Sequence, residues 1–149
     1  MKRAFPAVLA VAFSALVSAC AAIPTVAPAS EPGALGVLLD ALRAAGATVE
    51  PVREIRQPFL SVPGKVLTVN GVEIQVFEYE NEAAMRAEAE TISADASSVG
   101  TTIVTWVDAP HFFASGKLIV IYVGTESWLV KLLGAILGQP IAVGVGTRP

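Results

Sequence analysis

The sequence predicts an α+β fold, a two-layer sandwich in which helices pack on one face of an antiparallel sheet. Leucines at helical spacing occupy 35–42, and a second apolar helical segment occupies 127–137. Between them, "KVLTVNGVEIQVFEY" (65–79) places two strand-like runs around Asn70-Gly71, the dipeptide typical of a two-residue hairpin turn. "KLIVIYVG" (117–124) is apolar almost throughout, as expected for a central strand covered on both faces. The order helix, strands, helix, strands, helix suits one sheet with helices packed against it.

The overall composition indicates one domain held together by its apolar core. The chain has 149 residues, of which 54% are hydrophobic and 15% charged, with a formal net charge of -3. This charge gives no reason to expect a nucleic-acid partner. A single cysteine forms no internal disulfide, and a lone thiol offers too few ligands for a zinc or iron–sulfur site. We therefore expect no cofactor and no metal.

The N-terminus has the pattern of an export signal. Lys2 and Arg3 precede the run Ala4–Leu16, which is apolar except for Ser14. Such a run is too short to span a bilayer as a stable anchor, but it suits the core of a signal peptide. It leads directly to "LVSAC", which ends at Cys20.

The stretch Leu16–Cys20 resembles the lipobox of bacterial lipoproteins. The resemblance covers only the first twenty residues and implies that the Cys20 thiol carries diacylglycerol, with cleavage just before this residue. Acyl chains would then anchor the protein to a membrane of the bacterial cell envelope, with the domain facing outside the cytoplasm. Two alternatives are an ordinary secretory signal cut at Ala19-Cys20-Ala21 and a retained transmembrane helix, which the short run and Pro6 disfavour.

These features divide the chain into three parts. Residues 1–19 are the predicted signal peptide, and 20–32 are the lipidated cysteine with a flexible tether. The segment Ala21–Pro32 holds three prolines and four alanines with little periodicity, which is typical of a linker. Residues 33–149 form the predicted single α+β domain. Because Ala21 rather than an acidic residue follows Cys20, the choice between inner and outer membrane stays open.

The first helix is predicted from four leucines at i, i+3, i+4 and i+7, which mark one buried stripe: Leu35, Leu38, Leu39 and Leu42. Ser30 and Glu31 stand where an N-cap and a first-turn acid belong, and Gly46 suits the C-terminal position. The segment "VEPVREI" (49–55) alternates apolar and polar residues, and Pro51 favours an edge strand.

The second half continues with a helix, strands and a third helix. Asn81 is predicted to cap a helix from Glu82 to about Ser97, with a narrow apolar stripe at Met85, Ala89, Ile92 and Ala96. The segment 101–107, "TTIVTWV", is predicted to be a strand. The third helix is predicted over 127–137, ending at Gly138. Its segment Trp128–Leu137 is apolar on most sides, so it is either buried, which we favour, or an interface.

A possible duplication relates the two halves. "PFLSVPGK" (58–65) and "PHFFASGK" (110–117) share Pro, Gly and Lys at a constant offset, each ahead of a Lys-led strand. This similarity raises the hypothesis of tandem α-β-β units.

Three function classes follow from these residues. The leading hypothesis is a non-catalytic binding or scaffolding domain on a lipid-anchored envelope lipoprotein, with a possible protein partner in the envelope. One alternative is binding of a small apolar ligand or lipid between sheet and helices. The other is a hydrolase in which Asp108 orients His111, the only histidine, as a base. Because no G-x-S-x-G or equivalent nucleophile motif occurs, we expect His111 to be structural and the protein not to be an enzyme.

Overall fold

An antiparallel six-stranded sheet lies at the centre of the domain. The computed structural model describes residues 33–148; the predicted signal peptide, Cys20 and the tether lie outside the described residues. The elements in chain order are α1 (Ala34–Ala44), β1 (Val49–Ile55), β2 (Gly64–Val69), β3 (Val72–Glu78), α2 (Glu82–Ala89), β4 (Ser98–Val99), β5 (Thr102–Ile103), β6 (Pro110–Ser115), β7 (Leu118–Val123), α3 (Ser127–Leu137) and β8 (Ala142–Val143).

The strand order confirms the α+β class with an antiparallel sheet. The large sheet runs β1-β2-β3-β7-β6-β8, and β4 and β5 pair separately as a small hairpin. Strand β7 lies between β3 and β6, and its side chains alternate between two apolar clusters on opposite faces. Leu118, Val120 and Tyr122 point to one face, and Ile119 and Ile121 to the other. The predicted central position of this strand is confirmed.

Both faces of the sheet are covered, but by different elements. Helices α1 and α3 pack on the first face, through fully buried leucines that include Leu42 and Leu133. Helix α2 packs on the second face through Met85, beside the buried Trp106. The sequence-based prediction had placed the helices on one face only. Helix α2 packs on the second face because β7 presents apolar side chains on both faces, and each apolar face must be buried against another element.

The predicted hairpin is present at Asn70-Gly71. Asn70 has φ 49° and Gly71 has φ 85°, and Val69 pairs directly with Val72 on either side of them. Both central residues have positive φ, as a type I′ turn requires, and asparagine and glycine are the residues that adopt it most readily. Strand β1 is an edge strand, as Pro51 predicted, and its pairing with β2 is irregular between Pro51 and Arg53.

Helix α1 begins and ends close to the predicted positions. Gly33 occupies the N-cap position, whereas Ser30 and Glu31 lie outside the described residues. At the other end, Gly46 has φ 86°, its N–H donates to Arg43 O, and Ala47 N donates to Leu42 O. This pair of bonds is a Schellman motif, which satisfies carbonyls left free at the helix end.

Helix α2 is capped as predicted but is shorter than predicted. Asn81 Oδ1 accepts a hydrogen bond from Ala84 N at 2.8 Å, yet the helix ends at Ala89 instead of continuing to about Ser97. Beyond it, Ser93 Oγ donates to Asp95 Oδ1 at 2.7 Å, and Ala96 adopts φ 56°. Serine and aspartate side chains compete with helical hydrogen bonding, which explains the early end.

Two further predictions differ from the structure. Only Thr102–Ile103 of the predicted strand 101–107 is a strand. The strand ends early because Trp106 turns into the core, where its Nε1–H donates to Ala96 O at 2.6 Å.

The segments 58–65 and 110–117 are also not equivalent in structure. Residues 58–63 form a loop ahead of β2, whereas 110–115 are strand β6. The shared Pro, Gly and Lys therefore do not mark repeated positions in the sheet.

Candidate functional site

Asp108 does not orient His111, the pairing on which the hydrolase alternative depends. The Asp108 carboxylate accepts from Arg148 Nη1 at 3.0 Å and from Ala109 N at 2.8 Å. Within the described residues, no hydrogen bond joins it to His111. Arg148 instead ties the C-terminal segment to the loop before β6. This arrangement gives no support to a histidine base held by Asp108.

His111 belongs to the packing of the sheet. It lies on β6 directly opposite Tyr122 of β7, and the two rings are stacked with centroids 5.7 Å apart. His111 Nδ1 is buried and makes no hydrogen bond among the described residues. Tyr122 Oη accepts from Glu126 N at 2.8 Å, at the start of α3, and burial raises the pKa of Tyr122. Its phenol therefore stays protonated and serves to hold the first turn of α3.

The carboxylates at the end of β3 serve neighbouring helices. Glu78 Oε1 accepts from Leu35 N in the first turn of α1 at 3.3 Å, and Glu82 pairs with Arg86 along α2. Acidic side chains are favoured near helix N-termini because they complement the helix dipole. In residues 33–148, no three His, Cys, Asp or Glu side chains come together as a potential metal site.

Helix α3 is a surface helix with one buried face. Leu129 and Leu133 are fully buried against the first face of the sheet, as the favoured prediction for this segment required. Trp128, at the beginning of the helix, keeps 37% of its surface exposed. Helix α3 therefore buries one face and leaves Trp128 partly exposed.

A groove lies on the first face, between α1, α3 and the turn of the β6–β7 hairpin. We call it the apolar groove, and its volume is about 320 Å³. Within the described part of the chain, no charged residue lines this groove, and its lining includes Val37, Ala41, Leu118, Ile136 and Leu137. Val37 is 57% exposed along its wall, which is high for a valine.

A second concave surface lies on the opposite face, and we call it the α2 cleft. Its walls are the loop 58–61, helix α2 with Thr91, and the turn of the β4–β5 hairpin at 99–102; its volume is about 510 Å³. Glu88 lies in this cleft, where Oε1 accepts from Ser61 N at 2.8 Å and Oε2 accepts from Ser61 Oγ at 2.7 Å. These two bonds hold the carboxylate in one orientation and fix the loop to α2.

Tyr79 lies near the Glu88 carboxylate. Its side chain is buried, and its Oη makes no hydrogen bond among the described residues. Burial raises the pKa of Tyr79, and the neighbouring negative charge of Glu88 raises it further. The hydroxyl therefore stays protonated at every physiological pH.

No local sequence pattern predicts the contact between Ser61 and Glu88 that forms this cleft. The sequence predicts a solvated position on α2 for Glu88 and a loop position for Ser61, which lies 27 positions earlier. Only the tertiary fold brings them together. The predicted lipid-attachment residue, Cys20, lies outside the described residues.

Among the described residues, no helix is both long and apolar enough to cross a membrane. No protein-family model, curated protein or solved structure matches the chain.

Proposed function

We propose that this chain is a lipid-anchored lipoprotein of the bacterial cell envelope, whose domain binds or scaffolds a partner and catalyses no reaction. The observation that carries the proposal is the stretch "LVSAC", in which the only cysteine of the chain follows a short apolar run and two small residues. Each acyl methylene buried in a bilayer contributes about 0.8 kcal/mol, so two chains on Cys20 anchor the protein stably. The domain then faces outside the cytoplasm.

The spacing between the anchor and the domain supports a role close to the membrane. The described domain begins at Gly33, and the residues 21–32 separate it from Cys20. A stretch of this length spans at most about 40 Å when fully extended. A domain held at this distance meets membrane proteins, lipids and envelope polymers. The formal charge of -3 gives it no general attraction to nucleic acid.

Metabolic labelling with a fatty-acid analogue tests the proposal in a bacterial host. The natural chain should be labelled, and the mass of its mature form should begin at Cys20 with added acyl groups. Cys20→Ser should abolish both labelling and processing. Ser18→Ala, which keeps a small residue before the cysteine, should leave both intact. A mature protein that begins after Cys20, or that carries no acyl mass, would refute the lipid anchor.

The apolar groove favours a second candidate function, the binding of a single-chain apolar molecule such as a fatty acid. Its uncharged lining and volume of about 320 Å³ suit one short apolar ligand. Displacement of a fluorescent fatty acid from the purified chain tests this function. Val37→Glu, which puts a charge on the wall of the groove, should weaken binding at least about tenfold. Val52→Glu, on the exposed edge strand β1, is the matched control and should leave the affinity unchanged.

A further inference from the structure

The α2 cleft combines an apolar ring with fixed hydrogen-bonding groups. Phe59 is half-buried in the cleft, and its ring meets the Trp106 ring edge-on with centroids 5.8 Å apart. Glu88, Ser61, Thr101 and Thr102 line the same cleft. The lining of this shallow, open site therefore combines one aromatic side chain with several polar groups.

The hydrogen-bonding capacity of the cleft is only partly used. Each oxygen of the Glu88 carboxylate accepts one bond from Ser61, and a carboxylate oxygen has a second lone pair available. Thr101 and Thr102 each bring a hydroxyl, which both donates and accepts. The Ser61 Oγ, which donates to Glu88, keeps its own lone pairs as acceptors. The cleft therefore offers acceptors to a ligand that carries several hydroxyl or amide donors.

The charge of the cleft selects against anions. Among residues 33–148, Glu88 is the only charged residue that lines the cleft, and no lysine, arginine or histidine of this range lines it. A phosphate or carboxylate ligand would meet repulsion without a compensating cation. A sugar ring matches the remaining chemistry because it has an apolar C–H face for Phe59 and a rim of hydroxyls for the polar groups.

We propose that the α2 cleft binds a neutral saccharide unit, with Phe59 beneath the ring and Glu88 accepting from its hydroxyls. The binding chemistry follows from the cleft alone. The further step, that the saccharide belongs to a glycan of the envelope, rests on the proposed function, since a domain facing outside the cytoplasm meets such polymers. The lipoprotein would then link a membrane to a glycan.

Trp106 provides a direct readout because it contacts Phe59. The chain has two tryptophans, so Trp128→Phe on the opposite face leaves Trp106 as the only one. The full chain carrying this change, in a zwitterionic detergent without a sugar headgroup, is titrated with an N-acetylglucosamine tetramer. We expect a saturable change in Trp106 emission. A second arm measures co-sedimentation of the same protein with insoluble peptidoglycan.

Two cleft variants and one control decide the assignment. Glu88→Gln and Thr101→Val should each weaken tetramer binding by about tenfold, the effect of one good hydrogen bond to a ligand. Thr101 is exposed, so its variant keeps the fold even where Glu88→Gln loosens the loop. Glu90→Gln, at the C-cap position directly after α2 and outside the cleft, should bind like the parent protein.

Three results would overturn the proposal. The first is that the folded protein shows no saturable binding up to about 10 mM tetramer. The others are unchanged tetramer binding in both cleft variants, and binding of a lysine-rich peptide in place of the saccharide. Binding of the tetramer without co-sedimentation would keep the saccharide site and remove the envelope glycan as its source. A natural chain without acyl mass on Cys20, measured separately by mass spectrometry, would overturn the lipoprotein proposal. This result would not affect the proposal that the α2 cleft binds a saccharide.

Discussion

Thr48 and Asn70 exchange two hydrogen bonds: Asn70 N donates to Thr48 O at 2.8 Å, and Thr48 N donates to Asn70 Oδ1 at 2.8 Å. Thr48 is the residue before β1, and Asn70 is the first residue of the turn between β2 and β3. The pair therefore ties the edge strand to the hairpin beside it. Because Asn70 is held from both sides, the turn cannot relax easily when its neighbour Gly71 changes.

Gly71→Ala should lower the free energy of unfolding by about 1 kcal/mol, because φ 85° is unfavourable for a residue with a Cβ. Gly134→Ala is the matched control. Both glycines have open space where a Cβ would lie, but Gly134 sits inside α3 without positive φ. Its variant should gain about 0.5–1 kcal/mol from higher helix propensity. Denaturant unfolding measures both, and equal effects would contradict the role assigned to the turn.

Tyr79→Phe should leave stability unchanged or raise it by about 1 kcal/mol, because it removes a buried hydroxyl that makes no hydrogen bond among the described residues. Tyr122→Phe is the matched comparison and should lose about 1 kcal/mol, since its Oη accepts from Glu126 N. Thermal and denaturant melts of the two variants measure the difference. A clear loss for Tyr79→Phe would mean that this hydroxyl has a partner, with Glu88 the nearest acceptor.

Asp95 should make stability fall in acid. Its carboxylate accepts from Ser93 Oγ, Ser97 N and Ser97 Oγ, and these bonds lower the pKa of Asp95 from its ordinary value of 3.8 to about 2. A lowered folded-state pKa contributes stability that is fully present above about pH 4 and is lost as the pH falls towards 2. Asp95→Asn should therefore be less stable than the natural chain at neutral pH, with a difference that shrinks across this window.

Carboxyl titration by NMR gives the direct check on Asp95. Ser97→Ala removes the hydroxyl donor and keeps the Ser97 backbone N–H, so the titration of Asp95 should move up towards its ordinary value. A titration of Asp95 near 3.8 in the natural chain would show that the serine bonds are not maintained in solution.

Gly146→Ala should loosen the C-terminal segment. A Cβ at this position would overlap the backbone of Asp108, which has no flexible end to move aside. Overpacking of this kind costs about 1–3 kcal/mol. The neighbouring amides of Thr147 and Arg148 donate to Trp106 O and Val107 O, so their hydrogen exchange should accelerate. Unchanged exchange at both amides would contradict this close approach.

The features predictable from sequence are those governed by neighbouring residues. Asn70-Gly71 needs only its own backbone preferences, and Asn81 needs only the Ala84 amide three residues later. The predicted end of α2 is wrong because the apolar stripe from Met85 to Ala96 continues the helical pattern in the sequence. In the structure, the hydrogen bond between Ser93 and Asp95 competes with the helix and ends it earlier.

Long-range features had no comparable signal. The face that α2 covers depends on the packing of β7, and two-sided apolarity in a strand does not say which helix covers which face. The α2 cleft depends on contacts between Ser61 and Glu88 across the loop and helix, and a serine in a loop and a glutamate on a helix are common everywhere. The local sequence likewise does not predict the ion pair between Asp108 and Arg148, which lie 40 positions apart.

The domain should fold without the segment that precedes it. The described residues 33–148 belong to one compact unit, and both apolar clusters are built from residues between Ala34 and Ala142. None of these residues is a cysteine, so packing alone must supply the stability. Residues 31–149 expressed in the cytoplasm should therefore be soluble, unfold cooperatively and have the mass of a monomer or weak dimer in solution.

The exposed side chain of Trp128 is the candidate contact surface if residues 31–149 associate in solution. If the fragment associates, Trp128→Glu should restore the monomer, because the exposed edge of α3 would then be the contact surface. Val107→Glu, at another exposed apolar position, is the matched control and should leave the association unchanged. A fragment that aggregates in both variants, or that unfolds without cooperativity, would show that residues before 31 are part of the folded domain.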